Sequence, residues 1–127
     1  MMIDFSVIKK LNLPVGTFAI FGSGPMAVRG IRESHDIDLI VRTSVWNDLS
    51  ARHEVIGENK NLIKIGNIEI WKDRVNLSDK IDEMIDNAEI INDLPFVKLS
   101  YLLEWKKFMN RDKDKKDIIL IKQYLNN

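Results

Sequence analysis

Two aspartates, Asp36 and Asp38, stand two positions apart in the run Asp36-Ile37-Asp38-Leu39-Ile40-Val41. The run reads as a strand, and a spacing of two puts both carboxylates on one of its faces. Carboxylates held that close repel each other unless a cation neutralises them. Mg²⁺ suits that role, being a hard ion that takes oxygen ligands and keeps room for substrate phosphates. Upstream, Gly22-Ser23-Gly24 lies between an apolar strand and a helix start. There, backbone N–H groups and the helix dipole favour a phosphate, and glycine lets it approach the chain. A phosphate cradle beside a metal-binding carboxylate pair is the minimum equipment for phosphoryl or nucleotidyl transfer. Each half alone has an ordinary reading, a turn for the glycines and a solvated strand edge for the aspartates. Ile37, Leu39 and Ile40 nevertheless mark the strand as buried, and buried paired carboxylates are costly without a partner.

The elements that must carry these groups can be read from pattern. Asp4 to Asn12 reads as a short helix with Phe5, Ile8 and Leu11 on one side, ended by Leu13-Pro14. Thr17 to Phe21 is β-branched and aromatic without charge, a buried strand. Pro25 suits the first turn of a new helix, which Gly30 cuts short. Thr43 or Ser44 is placed to cap a helix holding Val45, Trp46 and Leu49. Leu62-Ile63-Lys64-Ile65 and Ile68-Glu69-Ile70-Trp71 flank Gly66-Asn67 as a hairpin. Ser78 opens a helix with Ile81, Met84, Ile85 and Ala88 at helical spacing. Ile90-Ile91 and Phe96-Val97 add short strand pieces, Leu99, Leu102 and Leu103 start another helix, and Lys115 to Leu125 gives the last. This order is neither a regular βαβα alternation nor a helical bundle, which points to an α+β or mixed α/β fold.

Composition narrows the chemistry. The chain has 127 residues, 45% hydrophobic and 30% charged, enough for one domain spanning 1–127 with a modest core. Cysteine is absent, excluding thiolate metal sites, disulfides and cysteine nucleophiles, and only His35 and His53 remain for imidazole chemistry. Nineteen basic side chains balance nineteen acidic ones, so any nucleic-acid or nucleotide contact must be local. No apolar run reaches bilayer length and Met1-Met2-Ile3-Asp4 lacks a leader pattern, so a cytoplasmic location is expected.

Gly22-x-Gly24-x-x-Ala27 also fits a Rossmann-like dinucleotide fingerprint after a strand, and Arg42 could then read a 2′-phosphate. The short interrupted helix, the acids at the start of the second strand and the lack of regular βαβ units argue against it. Arg29 and His35 fit an Arg-x5-His ribonuclease spacing, but Gly30 breaks the helix such a pair needs.

Taken together, Phe21-Gly22-Ser23 followed by Asp36-Ile37-Asp38-Leu39-Ile40-Val41 resembles the signature of the nucleotidyltransferase superfamily in its minimal, DNA-polymerase-beta-like form. Ala27, Arg29-Gly30-Ile31-Arg32 and Ser34 resemble the small bacterial members, including those associated with abortive-infection and toxin–antitoxin systems. Leu102-Leu103-Glu104-Trp105-Lys106, then Arg111-Asp112-Lys113-Asp114 and Asp117-Ile118, is similar to a C-terminal region of such proteins. Ser34-His35 replaces the usual Ser-Asp. The resemblance implies a nucleotidyltransferase-like mixed β-sheet with helices mainly on one side. It implies nucleotide binding at Gly22, Ser23 and Gly24, with Arg29, Lys106 and Arg111 as further candidates. It implies metal ligation by Asp36 and Asp38, with Glu69 as the candidate third carboxylate. All three acids would be catalytic, holding two Mg²⁺ ions (or Mn²⁺) while a nucleoside monophosphate passes from a nucleoside triphosphate to an acceptor hydroxyl on protein or RNA. For Glu69, the solvent face of the hairpin is the competing reading.

Charge is segregated. Asp79, Asp82, Glu83, Asp86, Glu89 and Asp93 face Lys80 alone in their stretch, whereas Lys106 to Lys122 carries seven bases against three acids. Solvated helix faces explain both. The sharper reading sets Lys106, Arg111 or Lys113 near a triphosphate, with Trp105, Phe108 and Tyr124 as core or stacking groups. The resemblance also implies a second functional class beside the enzyme: an antitoxin-type or degenerate nucleotide-binding partner protein that acts mainly by protein–protein interaction, with a cognate toxin as the candidate partner.

Overall fold

The computed structural model describes residues 4–73 and 77–126; Met1 to Ile3, read above for a leader, lie outside them. Asp4 caps a 3-10 helix, Phe5–Leu11, by accepting from the Ser6 backbone N–H at 2.9 Å, and Asn12 closes it in the left-handed conformation. The expected helix is therefore present but wound more tightly. Strand β1 is Phe18–Phe21, the short helix α1 is Gly24–Val28 and strand β2 is Ile37–Val41. Helix α2 runs Thr43–Arg52 and leads to the hairpin β3, Leu62–Ile65, and β4, Ile68–Trp71, turned by Gly66 at φ +61°. A 3-10 turn at Ser78–Lys80 runs into α3, Ile81–Asp86, followed by β5, Glu89–Ile91, and β6, Leu94–Phe96. Helices α4, Leu99–Met109, and α5, Asp112–Leu125, complete the order.

The six strands form one mixed sheet in the order β3-β4-β2-β1-β6-β5. β1 pairs antiparallel with β2 and parallel with β6, while β2 pairs parallel with β4. The fold is α+β. Alternation along each strand sends side chains to two apolar layers. Phe18, Ile20, Ile37, Leu39, Ile63 and Ile70 pack under α2 and the first 3-10 helix. Ala19, Phe21 and Ile40 pack on the opposite face under Met26 of α1, Met84 of α3, Leu102 and Trp105 of α4, and Ile121 of α5. Four helices thus contribute to one face, and α2 with the 3-10 helix to the other.

Several expectations change. The antiparallel β1–β2 pair removes the Rossmann-like reading, because a dinucleotide fingerprint joins two parallel strands through its helix. Asp36 lies outside β2, exposed in the bend before it. β1 has already ended at Phe21, paired with Asp38, so no β1 residue remains to pair with Asp36. Neither Thr43 nor Ser44 caps α2. The sheet extends to Arg42, whose N–H reaches the Thr17 carbonyl at 2.9 Å, and Arg42 itself takes the extended N-cap conformation. α5 begins three residues earlier than expected, because Asp114 reaches back to accept the Arg111 backbone N–H at 3.0 Å.

Candidate functional site

β1 delivers the chain to Gly22, which turns off the sheet at φ +69°. A Cβ at this position would overlap the Asp38 carboxylate, whose Oδ2 lies against the glycine. Glycine is therefore required twice, for the left-handed backbone and for the close approach. The same close packing brings Phe21 and Asp38 into register on one face of the sheet.

Ser23 follows, and its Oγ lies 2.5 Å from Ser34 Oγ, which in turn donates to the Asp36 carbonyl at 2.9 Å. A hydroxyl has one proton, so with Ser34 donating to Asp36, Ser23 is the donor to Ser34. This relay ties the glycine loop to the bend ahead of the acidic strand. It also turns the Ser23 hydroxyl proton toward Ser34. Gly24 serves packing: a Cβ there would collide with Ile20 Cγ2, and the residue opens α1 from a buried position.

Asp38 is half-buried on β2, in register with Glu69 on the parallel strand β4. Residues paired across parallel strands share a face, so both acids project to the side that also carries Phe21 and Ile40. The mid-strand acid chosen from Ile68-Glu69-Ile70 therefore stands next to Asp38, and the same face of β4 also carries Trp71. The Trp71 indole Nε1–H donates to Asp38 Oδ1 at 3.1 Å. Asp38 and Glu69 are hard oxygen donors of the kind Mg²⁺ takes. Asp36 stays exposed at the mouth of the strand, and among the described residues no three His, Asp or Glu side chains gather into an ion-enclosing group.

Opposite the glycine loop, α4 and α5 close a small polar cavity of about 120 Å³. Gly22, Ser23 and Asp38 form one wall, and Trp105, Lys106, Arg111, Lys113 and Asp117 the other, with Arg32 at the side. The lining thus carries four cationic side chains and two carboxylates, an excess of positive charge that favours an anion. Trp105 packs edge-on against Phe21 with centroids 5.1 Å apart, which anchors α4 on the sheet and sets Lys106 over the loop.

Two acids on α5 hold these cations in place. Asp117 accepts from Arg32 Nε at 2.7 Å and Nη2 at 3.0 Å and from Lys106 Nζ at 2.8 Å. Asp114 accepts from Arg111 Nε at 2.6 Å and Nη2 at 3.0 Å, with Lys106 Nζ 3.6 Å away. Burial pushes both carboxyls up, but the hydrogen bonds and charges of Arg32 and Lys106 on Asp117, and of Arg111 and Lys106 on Asp114, outweigh it. Both end below the ordinary value of 3.8. Bidentate Arg–carboxylate pairs fix orientation as well as charge.

The geometry therefore brings together Gly22, Ser23, Asp38, Lys106 and Arg111, with Glu69 beside Asp38. Arg29 does not join them. It caps α1, donates to the Pro25 carbonyl at 2.7 Å and pairs with Glu89 at 2.8 Å. His35 is exposed in the bend, which leaves the Arg29–His35 spacing without a shared helix. Arg42 is bonded to the Gly16 carbonyl, Asp82 and Asp86. Phe108 and Tyr124 are exposed while Trp105 is core. The role of Asp114 and Asp117 had a readable signal. With Ile121 they form the buried stripe of α5 at spacings of three and four, so charged residues occupy positions the pattern reserves for apolar ones.

Compared with family models, curated proteins and solved structures, the chain matches none. Among the described residues no helix is long and apolar enough to cross a membrane.

Proposed function

We propose that this protein is a metal-dependent nucleotidyltransferase that moves a nucleoside monophosphate from a nucleoside triphosphate to an acceptor hydroxyl. The observation that carries the reading is the cavity in which Gly22 and Asp38 face Arg32, Lys106, Arg111 and Lys113, with Glu69 in register beside Asp38. A site with Asp38 on one wall, Glu69 beside it, and guanidinium and ammonium groups on the other suits a ligand that is a polyanion and carries a divalent cation.

In this reading Gly22 lets phosphate oxygens approach the backbone where a side chain would exclude them. Lys106 and Arg111, held by Asp114 and Asp117, neutralise the phosphates, and Lys113 adds charge at the cavity's outer rim. Asp38 and Glu69, with Asp36 at the mouth of the strand, would hold Mg²⁺, which when bound supplies charge neutralisation at the α-phosphate and the departing pyrophosphate. The acceptor oxygen forms a bond to the α-phosphorus as the bond to pyrophosphate breaks. The hydroxyl proton passes to one of the carboxylates.

The purified chain with Mg²⁺ and each labelled nucleoside triphosphate should transfer label to itself or to an acceptor supplied from cell extract, and Asp38→Asn should not. If D38N binds Mg²⁺–nucleotide as tightly as the wild type does, the assignment of Asp38 is wrong. Tight nucleotide binding without transfer by the wild type would move the protein to the nucleotide-binding partner class.

A further inference from the structure

We propose that Trp71 is a positioning residue for Asp38, using its indole N–H to fix the orientation of the carboxylate that faces the cavity. The inference rests on the metal-binding reading of Asp38 and Glu69. Its structural basis is the 3.1 Å hydrogen bond from Trp71 Nε1 to Asp38 Oδ1, together with the placement of Oδ2 against Gly22. One oxygen is held by a donor and the other is confined by backbone, so rotation of the carboxylate about its Cβ–Cγ bond is restricted from both sides.

The strand register makes this possible. Asp38 is paired with Glu69, and Trp71 follows Glu69 by two residues, on the same face and paired with Ile40. A side chain in that diagonal position must be long to reach back to Asp38, and the diagonal distance of about 7–8 Å between strands is spanned by aromatic side chains. Indole adds a property that matters beside a metal ligand: it donates and cannot accept, and it carries no charge. It therefore orients Asp38 without neutralising it. Trp71 is half-buried, which shields the bond from competing water while leaving the indole at the margin of the site. Partners that orient metal-ligating side chains in this way typically change metal affinity by about 10–100-fold when removed.

The test uses the full chain labelled with ¹⁵N, which has three indole N–H signals, from Trp46, Trp71 and Trp105. Trp71→Phe identifies the Trp71 signal by its loss. In D38A that signal should move to the position of a weaker hydrogen bond while the other two stay. Titrating the wild type with Mg²⁺ should move the same signal, and Mn²⁺ should broaden it before the others. Mn²⁺ affinity, read from the electron paramagnetic resonance of the free ion, should fall about tenfold or more in W71F, and W71H, which keeps an N–H donor, should recover part of the loss. If W71F binds Mn²⁺ as tightly as the wild type, or D38A leaves the Trp71 signal unmoved, the positioning role is overturned while the metal reading stands. If the wild type binds no Mn²⁺, or D38A binds it equally well, the metal reading fails and this inference with it. The Trp71 signal is also assigned in the wild type by its nuclear Overhauser contacts to β2, and the D38A spectrum is recorded on a chain that retains Trp71, so a W71F variant that does not fold leaves the question decidable.

Discussion

Two pairs of carboxylates at the cavity differ in how their oxygens are used; Asp38 and Asp117 line it, with Glu69 beside the first and Asp114 one turn from the second. Asp114 and Asp117, on α5, are buried and held by Arg32, Lys106 and Arg111 through charge-assisted bonds of 2.6–3.0 Å. Asp38 and Glu69, on neighbouring strands, are half-buried, and Asp38 takes an indole N–H on one oxygen and lies against a glycine with the other. The helix pair spends its charge on holding cations. The strand pair concentrates like charge on one face, an arrangement that a divalent cation would complete. Two pairs of acids around one cavity thus serve a framework and a proposed reaction. Their surroundings, rather than their residue type, separate them.

The comparison breaks first at Asp38. Asp38→Asn should reduce nucleotidyl transfer to background while its thermal midpoint stays close to that of the wild type, because the amide oxygen still accepts from Trp71. If transfer persists, the strand pair has no chemical role. The converse variant, Asp117→Ala, should cost about 3 kcal/mol in denaturant-measured stability, the low end for breaking a buried pair because Asp114 remains 3.6 Å from Lys106. A loss near zero would mean that the helix pair is no framework.

Acid separates the pairs by a different route. Asp114 and Asp117 have carboxyls depressed below 3.8 in the folded chain, so the unfolded chain binds their protons more readily. The stability they contribute is fully present above that ordinary value and drains away as pH falls below it through the depressed range. In D114N/D117N, the acid limb of a stability-against-pH curve should be flatter than in the wild type. Gly22→Ala should cost about 1–2 kcal/mol from the left-handed backbone alone, and should displace the Asp38 carboxylate, seen as weakened metal binding. The smallest effect on the site itself belongs to Arg29. Arg29→Ala should leave nucleotide affinity unchanged and cost about 1–3 kcal/mol in stability, since its side chain is only 8% exposed and donates to the Pro25 carbonyl and to Glu89.

Much of this was legible in the sequence where local pattern decides the outcome. The uncharged β-branched and aromatic run before Gly22, the Gly66-Asn67 turn and the alternation around Glu69 each specify a strand and a face without distant information. What pattern could not supply was pairing. That Asp36 falls outside β2 depends on where β1 stops, and that β1 and β2 run antiparallel depends on how α1 and the loop after it return the chain. Arg29 and Arg32 are three residues apart in one short loop region, yet one reaches Glu89 and the other Asp117. No local feature distinguishes them, because their partners lie 60 and 85 residues away. Trp71 is opaque for the same reason: as a residue it reads as strand filling, and only the register with β2 gives its N–H an acceptor.

The 85-residue separation between Arg32 and Asp117 has a consequence for how the protein comes into being. The glycine loop and the acidic strand leave the ribosome before the helix that orders the facing cations. A nascent chain therefore carries its strand carboxylates and its left-handed glycine with no opposite wall until α5 has followed them. Docking of α5 is the event that turns them into an enclosed site.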